Sequence, residues 1–173
     1  HLASCLIGKN ENQTFNIYNG VGRNGKSALV TLMYKILGDY TGNVPITLLT
    51  QKRGLIGGTS SEVVNLRGTR YAVMQESTKG DQINEGVMKE LTGGDKITAR
   101  GLYKDAVTFI PQFKLVMMTN NLFDIKSNDD GTWRRIRICE FLSLFTETPV
   151  EGDKEKPYQF KVDKKIDKKF DIW

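Results

Sequence analysis

The sequence predicts an α/β domain with a mainly parallel central sheet. Two observations carry that expectation. Short apolar runs bounded by turn residues alternate along the chain with segments whose apolar residues recur at helical spacing. One junction between such a run and such a segment holds a tight cluster of glycines. The chain has 173 residues, 39% of them hydrophobic and 26% charged. That is enough for one buried core and excludes wholesale disorder.

Residues 14–18 alternate apolar and polar, which suits a short strand. Residues 20–25 are glycine-rich. In 27–37, Leu29, Leu32, Met33, Ile36 and Leu37 fall at helical spacing and Gly38 supplies a stop. Residues 42–61, rich in Gly, Thr and Ser, read mostly as loop. Residues 70–75 read as a buried strand, and 81–92 as a helix closed by Gly93 and Gly94. Two further strands are expected at 114–119 and 135–141. From Val150 lysines and carboxylates alternate, with Pro157 between them. Val162, Ile166, Phe170 and Trp173 then share one helical face and Asp163, Asp167 and Asp171 another, so an amphipathic helix is expected. Residues 1–149 form the expected core and 150–173 a charged C-terminal segment.

Composition excludes several classes. No run of about 18 apolar residues exists, so no membrane span is expected. The chain starts at His1 without a charged-then-apolar leader, which suggests a piece of something longer and no secretion signal. Cys5 and Cys139 fit reduced thiols of an intracellular protein. One His and two Cys leave no set for a structural zinc. The net charge of +5 leans mildly toward anionic partners.

Gly20-Val21-Gly22-Arg23-Asn24-Gly25-Lys26-Ser27 fits G-x-x-x-x-G-K-[ST] at every fixed position. Glycines let the backbone curl so that successive N–H groups face phosphate oxygens, and the following helix adds the positive end of its dipole. Gly20, Gly22, Asn24 and Gly25 would shape the cradle, Lys26 reach the terminal phosphates, and the Ser27 hydroxyl bind Mg²⁺. The same glycines satisfy a dinucleotide fingerprint, but residues 43–47 carry no carboxylate for a ribose and that reading leaves Lys26 and Ser27 unexplained.

A phosphate-loop hydrolase needs a carboxylate at the tip of a neighbouring buried strand. Glu76, after Tyr71-Ala72-Val73-Met74-Gln75, fits, either as that group or as an exposed strand end. The position before it, often a second acid, is Gln75. Asn120, at the tip of 114–119, can hydrogen-bond a phosphate or the attacking water, and Asn120-Asn121 also suits a turn. Arg134 and Arg135 can form surface ion pairs or reach a nucleotide on an adjacent subunit.

In this order the segments 20–27, 70–76, 91–105 and 118–141 resemble those of the superfamily 3 helicases, most closely the poxvirus-type primase-helicase branch of large DNA viruses, phages and plasmids. Asn65-Leu66-Arg67-Gly68-Thr69-Arg70 and Leu91-Thr92-Gly93-Gly94-Asp95-Lys96-Ile97-Thr98-Ala99-Arg100 add to the likeness, which covers about residues 14–145. The resemblance implies a three-layer αβα phosphate-loop NTPase of modified AAA+ type, assembled as a homohexameric ring. ATP with Mg²⁺ would bind between subunits and single-stranded DNA would thread the channel. It implies ATP and Mg²⁺ binding by Gly25, Lys26 and Ser27, with Glu76 the catalytic carboxylate and a second metal contact. Asn120 would be the polar sensor and Arg134, with Arg135 next, the arginine finger.

The resemblance also implies a DNA-gripping hairpin, which maps loosely onto 101–105. There Arg100 and Lys104 suit phosphates and Tyr103 suits stacking on a base, while an ordinary hairpin turn explains the same residues. The implied activity is ATP-driven translocation and unwinding in viral or mobile-element replication, in the host cytoplasm or a viral replication site. A primase domain elsewhere in the chain is possible on this resemblance. A DNA loader or packaging motor, and a nucleic-acid-binding module with weak catalysis, are the alternatives.

Overall fold

The computed structural model describes residues 1–50, 59–75, 82–122, 125 and 129–172. Along the chain run β1 (Phe15–Asn19), α1 (Lys26–Leu37), β2 (Thr41–Val44), α2 (Thr47–Thr50), α3 (Ser61–Val64), β3 (Tyr71–Gln75), α4 (Glu85–Thr92), β4 (Ile97–Arg100), β5 (Ala106–Phe109), β6 (Lys114–Thr119), α5 (Asp130–Trp133), β7 (Ile136–Glu140), β8 (Leu144–Thr146), β9 (Gln159–Lys161) and α6 (Ile166–Lys169). Five strands form one sheet in the order β2-β3-β6-β1-β7, and every pair in it is parallel.

Alternating side chains divide the core into two layers, as the period of a strand requires. Phe15, Ile17, Ala72, Met74, Leu115 and Met117 face α2, α3, α4 and the inner side of the β4–β5 hairpin, through Leu49, Val63, Met88, Leu91, Ile97 and Ala99. Tyr18, Tyr71, Val73, Val116 and Met118 face the other way, onto Val30, Met33 and Leu37 of α1 and onto Cys5. The expected three-layer α/β architecture is present. Every residue of β6 is buried, because covered strands flank it and both its faces are packed. That is why its sequence is a nearly unbroken apolar run.

Three expectations change. Residues 42–50 are not mostly loop. Thr41–Val44 adds a strand at the sheet margin, paired Thr41 to Tyr71 and Val44 to Met74, and α2 follows. Weakly apolar, glycine-containing sequence can still pair when a buried neighbour offers its edge. The helix expected from residue 81 begins at Glu85, because the Asn84 side chain accepts the Val87 N–H at 3.2 Å and so caps it. Asp81 lies outside the described residues. In the tail, the helix spans four residues, Ile166–Lys169, and β9 precedes it. β9 pairs in parallel with β8, which binds the tail to the core. Trp173 is outside the described residues.

Leu115, fully buried in the central strand, supplies a test of this packing. Leu115→Ala removes side-chain burial and leaves a cavity that strands on both sides restrain from closing. Unfolding free energy should fall by about 2–5 kcal/mol in chemical denaturation.

Candidate functional site

Parallel pairing puts the carboxyl ends of the strands on one margin of the sheet, where ligands of open α/β sheets bind. Asn19 of β1 pairs with Thr119 of β6, and Gln75 of β3 pairs with Met118. The loop from Gly20 to Gly25 leaves β1 at that margin and enters α1 at Lys26. It needs unusual backbone angles: φ is +43° at Gly22, +51° at Arg23 and +88° at Gly25. At Gly20 (φ +149°) a Cβ would sit 2.7 Å from the Phe141 carbonyl, so no other residue fits without movement.

Gly25 is the N-cap residue of α1 and has no side chain to cap it. The N–H groups of a helix start therefore face the cavity together with the positive end of a 12-residue helix. The Asn24 side chain braces the loop. Its Nδ2 donates to the Phe141 carbonyl at 3.3 Å, and its Oδ1 meets the Lys26 N–H at 3.5 Å.

Lys26 is 7% exposed. Its ammonium donates to the Gly20 carbonyl and, at 3.3 Å, to Asn120 Oδ1. Among the described residues no carboxylate pairs with it. Burial pushes its pKa below the ordinary lysine value. A buried cation whose partners are neutral oxygens, beside the N–H groups of a helix start, is suited to an anion with several oxygens. The residues present thus fit a polyphosphate.

A cavity of about 1000 Å³ opens here, lined by Gly22 to Ala28, Gln75, Met118, Thr119 and Asn120. Its other wall was not foreseen from sequence: Phe145, Thr146, Glu147, Lys161 to Lys164 and Ile166. No sequence signal pointed there, since β8 and β9 are three residues each and too short for a periodic pattern.

The structure brings Gly20, Gly22, Asn24, Gly25, Lys26, Ser27 and Asn120 together. Glu76 follows the end of β3 and lies outside the described residues. Gln75 lines the cavity. No cluster of three or more metal-ligating side chains occurs among the described residues. Ser27, expected to bind Mg²⁺, lines the cavity beside Lys26.

Arg134 and Arg135 are elsewhere. Arg135 directly precedes Ile136, which pairs with Phe15 at the amino end of β1. About 13 Å of strand separates that margin from the loop. Gln13 Oε1 accepts from Arg134 at 2.9 Å and from Arg135 at 3.2 Å, a contact the sequence did not show. Arg135 is also buried and donates to the Gly131 carbonyl at 2.6 Å, so its guanidinium is committed to the fold. Arg134 is exposed.

Arg100, Tyr103 and Lys104 gather at one hairpin turn. β4 and β5 pair antiparallel from Ile97–Phe109 to Arg100–Ala106. Ile97 and Ala99 anchor the hairpin in the core, while Thr98 and Arg100 face out. Arg100 Nε donates to the Lys104 carbonyl at 3.1 Å and closes the turn. Tyr103, at φ +55°, is 94% exposed. Among the described residues no helix is long and apolar enough to cross a membrane.

Residues 18–135 match the family described as "Family of unknown function (DUF5906)". A protein of Acanthamoeba polyphaga mimivirus named "Putative helicase" is 46% identical over 83% of this chain and 15% of its own length. A "Putative helicase" of Frog virus 3 is 34% identical over 99% of this chain and 18% of its own length. A "Putative primase" of African swine fever virus is 32% identical over 85% and 15%. The chain thus spans less than a fifth of these relatives. Among solved structures, the apo C terminal region of NrS-1 aligns with a TM-score of 0.66 at 13% identity, over 98% of this chain and 38% of that one. A JCV helicase aligns at 0.52 and 14%, over 81% and 39%. These identities speak to the fold, a phosphate-loop NTPase-like α/β domain.

Two predictions follow from the charges. With its pKa depressed, Lys26 binds fewer protons folded than unfolded between that depressed value and about 10.5. Stability of the ligand-free chain should rise with pH across that window. Lys26→Met should flatten the rise and raise unfolding free energy at neutral pH by about 1 kcal/mol, read by denaturant titration. Arg135→Ala should cost about 1–3 kcal/mol by removing a buried side chain and its bond to the Gly131 carbonyl, while Gln13 keeps Arg134, and Arg134→Ala under about 0.5 kcal/mol.

Proposed function

The chain belongs to the DUF5906 family, and from its phosphate loop and its viral relatives named as helicases and primases we propose that it is the ATP-hydrolysing motor of a superfamily 3 helicase, acting on single-stranded DNA in viral or mobile-element replication. The observation that carries this reading is the buried Lys26 ammonium, set at the start of α1 beside Asn120 and without a described counter-charge. The helicase and primase names of the viral relatives support the replication role.

Lys26 would exchange its contacts with Gly20 and Asn120 for terminal phosphate oxygens and neutralise charge that builds there during transfer. Asn120, released from Lys26, would hold the attacking water in line. Glu76 would take the proton of that water. Ser27 would hold Mg²⁺, which when bound offsets phosphate charge.

Arg134 cannot serve the loop of its own chain, since it sits at the opposite margin of the sheet. It would act on the nucleotide of the next subunit in a homohexameric ring, which favours a closed assembly. Arg135 is held inside the fold and is the poorer finger. The hairpin would grip the strand in the channel, with Arg100 and Lys104 on phosphates and Tyr103 stacked on a base.

The deciding measurement is ATP hydrolysis by the assembled protein with and without single-stranded DNA. Turnover should be lost in Lys26→Ala, and stimulation by single-stranded DNA should be lost in Lys104→Ala. Stimulation of Lys104→Ala equal to wild type would remove the hairpin from DNA binding. No hydrolysis by an assembled ring, with DNA binding intact in Lys26→Ala, would make the chain a nucleic-acid-binding module. Stronger stimulation by duplex would make it a loader or packaging motor.

A further inference from the structure

The cavity beside Lys26 is larger than a polyphosphate fills, and one side of it is built by residues that the phosphate chemistry does not use. β8 and β9 pair in parallel, Leu144 to Gln159, Phe145 to Phe160 and Thr146 to Lys161. This ribbon is fastened to the loop by backbone: the Phe145 N–H donates to the Arg23 carbonyl at 2.8 Å. The Phe145 ring stands over Gly25, close enough that a Cβ there would lie 3.2 Å from it. Phe160 backs Phe145, with ring centroids 5.9 Å apart and planes tilted by 34°. Both rings are partly exposed, yet Phe145 faces the cavity. At the rim Glu147 and Lys164 form an ion pair at 2.5 Å.

We propose that the β8–β9 ribbon is the base-binding wall of this site and that Phe145 is the platform on which the nucleobase of a nucleoside triphosphate stacks. The inference deepens the nucleotide-binding role proposed above and rests on it. Its logic is positional. The phosphates are anchored at the start of α1 by Lys26 and the loop N–H groups. An aromatic face sits one residue from that anchor, over Gly25, held there by a main-chain hydrogen bond and a second ring. A base is a flat, apolar-faced, weakly hydrated group, and stacking on an aromatic ring is the interaction such a wall offers. A ribbon serving only to pack the tail would have no reason to turn an aromatic ring into the open cavity.

The test separates the base from the phosphates. Binding of ATP and of inorganic tripolyphosphate is measured by calorimetry for the wild-type chain, Phe145→Ala, Phe145→Leu and Lys26→Ala. Phe145→Leu keeps an apolar cover and removes the π face, so it guards against loss through misfolding. Both Phe145 variants should lose roughly tenfold or more in ATP affinity while tripolyphosphate binding is unchanged. Lys26→Ala should lose both ligands. Unchanged ATP affinity in both Phe145 variants overturns the platform and leaves the phosphate site standing. Parallel loss of both ligands in both Phe145 variants also overturns it, because the ribbon would then support the loop and not the base. A wild-type chain that binds neither ligand overturns the nucleotide-binding role itself.

Discussion

The structure turns on one buried charge. Lys26 holds an ammonium out of water with a carbonyl and an amide oxygen for company. Desolvating a cation costs several kcal/mol unless strong partners replace water. Little in the ligand-free chain does so. The glycines that bend the loop, the Asn24 brace and the tip of β6 all hold the ammonium in place. An arrangement costly without ligand is one that gains most when an anion arrives.

The sheet keeps two arginine environments away from that charge. Arg135 is immobilised between Gly131 and Gln13, whereas Arg134 shares Gln13 and still faces solvent. Gln13 holds its own backbone at φ +48° while accepting from both. One neutral side chain thus orients two like charges that would otherwise repel. Parallel pairing then keeps them at the margin opposite the loop, so the two ends of each strand carry separate tasks.

Much of this was legible in the sequence, for identifiable reasons. β6 announced itself because burial on both faces demands an unbroken apolar run, and α1 because Leu29, Leu32, Met33, Ile36 and Leu37 recur at helical spacing after a glycine-rich loop, although the stripe it buries is Val30, Met33 and Leu37 and Ile36 is exposed. The loop residues were legible because their chemistry tolerates few substitutes. β2 was not, since Thr41-Gly-Asn-Val is a strand by virtue of its neighbour and not of its own propensity. The tail misled because Val162, Ile166 and Phe170 repeat at helical spacing, whereas the helix spans only Ile166–Lys169 and follows a strand through Phe160 and Lys161 that pairs with β8. The start of α4 depended on a side-chain cap, which spacing alone does not reveal. The different fates of Arg134 and Arg135 depended on Gln13, more than 100 residues away in sequence.

The main-chain bond from Phe145 to Arg23 has a consequence for what counts as a unit of inheritance. Every motif residue of the loop, the neighbouring strands and the arginine pair precedes residue 142. A segment cut there would keep all of them and lose the wall that the ribbon builds against the loop. Exchange of such domains between larger proteins by recombination would keep this wall with the loop only where the breakpoint falls beyond Ile166. The portable piece is longer than its signature.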